Sequence, residues 1–152
     1  MTYAVELRKV AATPLLVVRR RARQAELSKI VPDGCGTVWN YIRAAGIRSA
    51  GRHVAMYRAA DAGLLDVEVG VEVGADAAGS GDVVLSATPA GTVATTTHFG
   101  SYAGLDAANA AINQWCDANH HQLAGPSWEV YGHWTDEPEK VRTDVFWLLK
   151  PA

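Results

Sequence analysis

Residues 127–134 read Ser-Trp-Glu-Val-Tyr-Gly-His-Trp, so five of eight side chains are aromatic or ionisable. Read as a β-strand, alternate side chains point to opposite faces. Glu129, Tyr131 and His133 then share one face, and Trp128, Val130, Gly132 and Trp134 the other. A carboxylate ringed by aromatics is costly as core. It suits an organic cation, for which each ring-face contact adds roughly 0.5–2 kcal/mol. It would also suit a general base, because desolvation raises a carboxyl pKa toward the neutral range. Taken alone, Glu129 could equally point to solvent or pair with an Arg. Tyr131 could stack on a ligand, hydrogen-bond the carboxylate, or half-bury in a sheet.

Other aromatic groups carry the same double reading. Tyr57 ends a segment with the spacing of the one that ends in Tyr131, a Tyr six residues after Gly51 and Gly125 respectively. Trp39 and Trp115 fall on apolar helix stripes, where core packing is the better reading and a roof over a cleft the sharper one. Trp147 could wall a cleft or fill core, whereas Trp128 and Trp134 point away from Glu129 and read as structural. His98 and Tyr102 flank a turn, either at a cleft edge or bracing the turn. His98, His133 and Glu129 have no zinc-type spacing, so no metal is expected. No nucleophile elbow, phosphate loop or dinucleotide fingerprint occurs, and no cofactor is expected. Cys35 and Cys116 sit in helical patterns as small hydrophobes and form no disulfide framework.

The elements that must position these groups follow from periodicity. Alternation predicts strands over 3–10, 15–22, 51–58, 65–73, 82–88, 92–99, 127–134 and 143–149. In 65–73, Val67, Val69, Val71 and Val73 line one face. Glu68 and Glu72 lie on the other, with Gly70 between them leaving room for a ligand or a second backbone. Cys35, Val38, Trp39 and Ile42 predict a helix after a turn at 32–34, with Asp33 as cap and Gly46 just past its end. Leu105, Ala108, Ile112, Trp115 and Cys116 predict a second helix, with Asp106, Asn109, Asn113 and Asp117 on its polar face and Gly125-Pro126 as its stop.

The chain has 152 residues, 49% hydrophobic and 20% charged, which suits one domain or two small halves sharing a core. A net charge of -2 gives no electrostatic case for nucleic acid. Arg19, Arg20, Arg21 and Arg23 form a local basic run that reads as a solvated strand edge discouraging edge pairing. No apolar run reaches membrane-span length, and the N-terminus lacks a signal-peptide pattern, so a cytoplasmic protein without membrane association is expected.

The order strand, helix, strand, strand occurs twice, over about 1–88 and 89–152. Two such units with one apolar sheet face each would join, and a cleft at the junction is the expected ligand site. With His98-Phe99-Gly100-Ser101-Tyr102, Gly125-Pro126, Glu129-Val130-Tyr131, Trp134 and Val145-Phe146-Trp147-Leu148-Leu149 in this order, the chain resembles the GyrI-like small-molecule-binding family. That family is also known as the effector-binding domain of AraC-type and MerR-type multidrug regulators. The resemblance covers nearly the whole chain as a single domain, 1–152. It implies an α+β fold of tandem βαββ-type, SHS2-like modules with pseudo-twofold symmetry, antiparallel sheets and one helix per module around a central cleft.

The resemblance further implies a buried Glu, at position 129 here, facing flat or cationic lipophilic compounds. The expected function is multidrug-type binding through Glu129, Tyr131, Trp39, Tyr57, Trp147, His98 and Tyr102. The alternative is a hydrolase like those stand-alone relatives that open cyclopropane rings of DNA-alkylating natural products, with Glu129 as general base. A weaker third reading is a protein-binding role, such as topoisomerase inhibition. Fused relatives carry a preceding helix-turn-helix domain; the two modules use up this chain, so direct nucleic-acid contact is not expected. The residues leave the natural ligand and the oligomeric state open.

Overall fold

The computed structural model describes residues 2–132 and 136–151. The expectations for His133 and Trp134 lie outside the described residues. Among the described residues the chain is α+β, with eight strands, two α-helices and antiparallel pairing throughout the ladders described below. It forms two compact units. Unit 1 comprises Met1–Ala11 and Pro89–Ala152, and unit 2 comprises Ala12–Thr88. The first eleven residues therefore leave the expected half 1–88 and join the other unit.

Unit 2 contains β2 (Pro14–Ala22), α1 (Leu27–Ala45), β3 (His53–Ala59), β4 (Leu65–Glu72) and β5 (Val84–Ala87), with sheet order β3-β4-β2-β5. The pleat of β4 turns Val67, Val69 and Val71 toward α1, where they meet Leu16, Val18 and Ala22 of β2 and Val38 and Ile42 of the helix. Each fully buried Val, Leu or Ile side chain among them stabilises by roughly 1.5–3 kcal/mol. The approach beside Gly70 is taken by a backbone. A Cβ there would lie 1.7 Å from the Leu16 carbonyl oxygen. The two ends of the unit are tied together: the Thr13 amide donates to Thr88 Oγ1 and the Thr88 amide to the Thr13 carbonyl, both at 2.9 Å.

The first helix departs from its expected span. It starts at Leu27, eight residues before Cys35, and carries Pro32 inside it. The expected turn at 32–34 is absent because the apolar stripe runs through it, with Leu27, Ile30, Val31 and Cys35 all packed on the unit 2 core. Burial of that stripe outweighs the one backbone hydrogen bond a proline forfeits. Gly34 is a close helix–sheet contact rather than a turn residue, since a Cβ would stand 2.9 Å from Val69 Cβ. Gly46 ends the helix as expected, in the left-handed region at φ 68°.

Unit 1 contains β1 (Glu6–Val10), β6 (Gly91–Phe99), α2 (Leu105–Ala118), β7 (Leu123–Tyr131) and β8 (Arg142–Leu149), with sheet order β1-β6-β8-β7. Its core joins Leu105, Ala108, Ile112 and Cys116 of α2 to Ala94, Val145 and Leu149 of the sheet. Gly125-Pro126 does not end the helix. The α2 helix stops at Ala118, with His120 at φ 60°, and the Gly-Pro pair lies inside β7. The β7–β8 register shifts between Leu123 and Ser127, so Pro126 sits at an irregularity where its missing amide costs no regular ladder bond.

Both units are βαββ with one extra edge strand, and their sheet orders match when β1 corresponds to β5, β6 to β2, β8 to β4 and β7 to β3. Each edge strand precedes, in sequence, the βαββ run of the other unit. Among the described residues, no helix is long and apolar enough to cross a membrane.

Two glycines on α1 give opposite expectations. A Cβ added at Gly36 would meet nothing within 4 Å, so Gly36→Ala should stabilise by up to about 1 kcal/mol through helix propensity. Gly34→Ala gains the same propensity but overpacks against Val69 and Val18, at a cost of roughly 1–3 kcal/mol. Thermal unfolding should show a higher Tm for the first variant and a lower one for the second. His53 gives a pH expectation. Its Nδ1 is buried without a hydrogen-bond partner, and burial lowers its pKa below 6.5. The unfolded chain then binds the proton more readily, so stability is full above about pH 6.5 and falls as the pH drops from there to the depressed folded pKa. In His53→Gln this acid-side loss should shrink, as Tm measured from pH 7.5 to 5 will record.

Candidate functional site

The β7–β8 ladder sets Ser127 opposite Trp147, Glu129 opposite Val145 and Tyr131 opposite Thr143. Val145 belongs to the core beneath α2, so Glu129 and Tyr131 share the helix-facing side of the unit 1 sheet. Glu129 is 8% exposed. The Tyr131 hydroxyl donates to its Oε1 at 2.7 Å. From α2, Asn109 Nδ2 reaches its Oε2 at a long 3.4 Å while also donating to the Leu105 carbonyl at 2.9 Å.

Trp147 fixes the direction of that amide. Its indole Nε1–H can only donate, and it donates to Asn109 Oδ1 at 2.9 Å. Oδ1 being the acceptor, Nδ2 is the group turned toward Glu129. Tyr102, in the short 3-10 turn Tyr102–Gly104 before α2, meets Tyr131 edge-on, with centroids 5.5 Å apart and planes at 70°. Such a pair contributes roughly 0.5–1.5 kcal/mol. Tyr102 is itself 46% exposed. One connected group therefore runs from an exposed ring through Tyr131 to the carboxylate, and on through Asn109 to Trp147. Both of these donors, the Tyr131 hydroxyl and the Asn109 amide, are neutral groups.

His98 is placed differently. It is buried, and both ring nitrogens are engaged. Nε2 lies 2.8 Å from the Ser101 carbonyl, which can only accept, so Nε2 carries the proton; Nδ1 accepts from the Tyr3 hydroxyl at 2.8 Å. A Cβ on Gly104 would stand 2.8 Å from the ring. The imidazole thus braces the turn that carries Tyr102.

Trp39 and Tyr57 belong to unit 2. The expected core position of Trp39 is corrected: α1 turns Val38 and Ile42 to the sheet and leaves Trp39 39% exposed, its ring 5.9 Å from that of His53. Tyr57 is half-buried against the unit 2 core on the helix-facing side of β3, opposite Val67. It occupies the sheet position that Tyr131 holds in unit 1, and Ala55 stands where Glu129 would. Trp128 points to the other face, buried and stacked on Phe146. Trp115 packs on the unit 1 core and stacks on His121. Burial pushes the Cys35 thiol up to about 11 and raises that of Cys116, so neither is a thiolate nucleophile at neutral pH.

Asn109 is the member of this group that sequence reasoning missed, having been placed on the polar face. Its spacing held the signal, for Leu105, Asn109, Ile112 and Cys116 fall at i, i+4, i+7 and i+11, within the apolar stripe.

Comparison with curated proteins gives no match. Among solved structures, the EcmrR C-terminal domain superposes with a TM-score of 0.78 at 16% identity, covering 100% of both chains. SAV2435, solved bound to tetraphenylphosphonium, gives 0.72 at 11% identity, covering 99% of this chain and 94% of that one. A hydrolase from Listeria innocua gives 0.65 at 12% identity, with 96% and 91% covered. At these identities the likeness speaks for the fold. The sequence profile of the GyrI-like small molecule binding domain matches residues 3–150, nearly end to end, and the chain therefore belongs to the GyrI-like family.

Proposed function

We propose that this GyrI-like domain binds lipophilic aromatic cations, with Glu129 as counter-charge and Tyr131, Tyr102 and Trp147 as apolar and stacking surfaces. The observation that carries the reading is a buried carboxylate that accepts from the Tyr131 hydroxyl and faces the Asn109 amide, beside an exposed tyrosine. A carboxylate held this way is preorganised, so the ligand does not bear the cost of ordering it. Tetraphenylphosphonium on SAV2435, a protein of the same fold, supports the choice of a cation with aromatic bulk. Asn109 joins the site as a positioning residue. Trp39, exposed beside His53, and Tyr57 on β3 extend the proposal as stacking surfaces for the same class of compound. His98 enters it by bracing Tyr102.

A second reading is hydrolysis of a strained electrophilic ring, with Glu129 orienting or deprotonating water. It is supported by the fold shared with the Listeria innocua hydrolase. The same carboxylate serves both readings, which differ in whether a bond breaks.

Titration with tetraphenylphosphonium and with neutral triphenylphosphine oxide tests the binding reading. Glu129→Gln should weaken the cation by roughly tenfold or more, about 1.4 kcal/mol, and leave the neutral compound within twofold. Asn109→Leu should weaken the cation several-fold by releasing both Glu129 and Trp147. Equal affinity for both compounds in wild type and Glu129→Gln, at unchanged Tm, would sink the reading. Mass spectrometry after incubation with a cyclopropane-bearing alkylator tests the other. Ring opening by wild type that Glu129→Gln abolishes establishes an enzyme, and none above the variant's background removes it.

A further inference from the structure

The arginine run lies on a strand edge that is only half covered. β4 pairs with β2 from Leu15 to Ala22, but on the opposite side β5 pairs only with Pro14, Leu15, Leu16 and Val17. Among the described residues, no strand pairs with residues 18–22 on that side. The stretch carries Arg19, Arg20 and Arg21, all exposed, and Arg23 follows. Because the strand alternates, Arg19 and Arg21 project from the face away from α1 and Arg20 from the face shared with Val18 and Ala22.

Acidic neighbours answer part of this charge. Arg21 pairs with Asp66 at 3.0 Å, and Glu68 sits 3.6 Å from Arg19 and 3.8 Å from Arg58 of β3. The Arg20 guanidinium donates to the carbonyl of Arg19, a neutral group. A hollow of about 410 Å³ opens among these arginines, Asp66 and Glu68. The end of β2 is thus a locally cationic edge on a chain whose net charge is -2.

We propose that residues 18–22 of β2 accept an acidic extended peptide segment of a partner protein, which pairs as a strand where β5 stops. An open edge offers main-chain donors and acceptors to any strand, and charge decides which strand is admitted. A second copy of the same edge brings arginines against arginines and is repelled; a strand with Glu or Asp at alternate positions places carboxylates beside Arg19 and Arg21 on one face or Arg20 on the other. Asp66 and Glu68 interrupt the positive face, which disfavours the continuous phosphate row of a nucleic acid. The proposal stands apart from the Glu129 site and does not depend on what that site binds.

Fluorescence anisotropy on the full chain at low salt tests it, using a labelled eight-residue peptide of alternating Glu and Val. The probes for comparison are its Lys-for-Glu counterpart, two versions N-methylated at the even or the odd amides, and a labelled 12-base-pair DNA duplex. The acidic peptide should bind at least roughly tenfold tighter than the Lys peptide. Arg20→Glu with Arg23→Glu should cost roughly tenfold at unchanged Tm. One N-methylated register should lose roughly fivefold or more and the other much less, because only alternate amides face β2. Equal binding of both methylated registers and the parent would reduce the contact to ion pairing and overturn strand addition. Tighter binding of the duplex than of the peptide, or an unchanged affinity in the double variant, would overturn the proposal as well.

Discussion

A carboxylate can leave water only if donors go with it, and the arrangement of unit 1 follows from how Glu129 meets that demand. Its helix-facing parity on β7 puts the side chain beneath α2. There the two donors described come from different distances along the chain. Tyr131 is two residues away on the same strand face, and Asn109 is twenty residues away on the helix. Leaving a buried acceptor unsatisfied costs roughly 1–3 kcal/mol, and more for a charged group. The strand register, the helix position and the indole of Trp147 therefore act together, since a shift of one residue in β7 would turn Glu129 to the opposite face.

The second helix is braced at its start by an unrelated device with a related effect. His98 ties Tyr3 on one side to Ser101 on the other and packs under Gly104. The turn so fixed carries Tyr102, which leans on Tyr131, which donates to Glu129. A histidine with no nitrogen to spare thus bears on the carboxylate through three contacts without touching it. The sheet position of Glu129 holds Ala55 in unit 2, and the residue there with an orphaned polar atom is His53, kept neutral by burial. The two repeats have kept the same strand order and diverged in charge at the matching face.

What could be read from the residues alone was whatever depends on local periodicity. Val67, Val69 and Val71 declare β4 and its buried face because a strand repeats every two residues. Gly46 marks the end of α1 because few other residues accept φ 68°. The strand, helix, strand, strand repeat was legible for the same reason, and the family resemblance rested on motifs occurring in a set order. The misreadings at Pro32 and Gly125-Pro126 came from treating breakers as boundaries. Each was overruled by tertiary packing, in α1 by a stripe that continues past the proline and in β7 by a register shift that absorbs it. The pairing of β1 in unit 1 and β5 in unit 2 was invisible because edge pairing is set by partners far away in sequence. Asn109 was hidden by its residue type, a polar side chain standing at an apolar spacing.

The edge strands show how the same physics can serve protection and selection. β5 is four residues long against nine for β2, and among the described residues no other strand covers the remainder of that edge. An uncharged sequence there would pair with any exposed strand, its own copies included. Arginine at three successive positions makes self-pairing repulsive on both faces of the strand, because alternation sends charge to each. The nearby Asp66 and Glu68 temper that charge without removing it, since they meet Arg19, Arg21 and Arg58 on one face while Arg20 projects from the other. A charge pattern that excludes like strands on both faces excludes oppositely charged strands on neither, and selectivity of that kind needs no pocket.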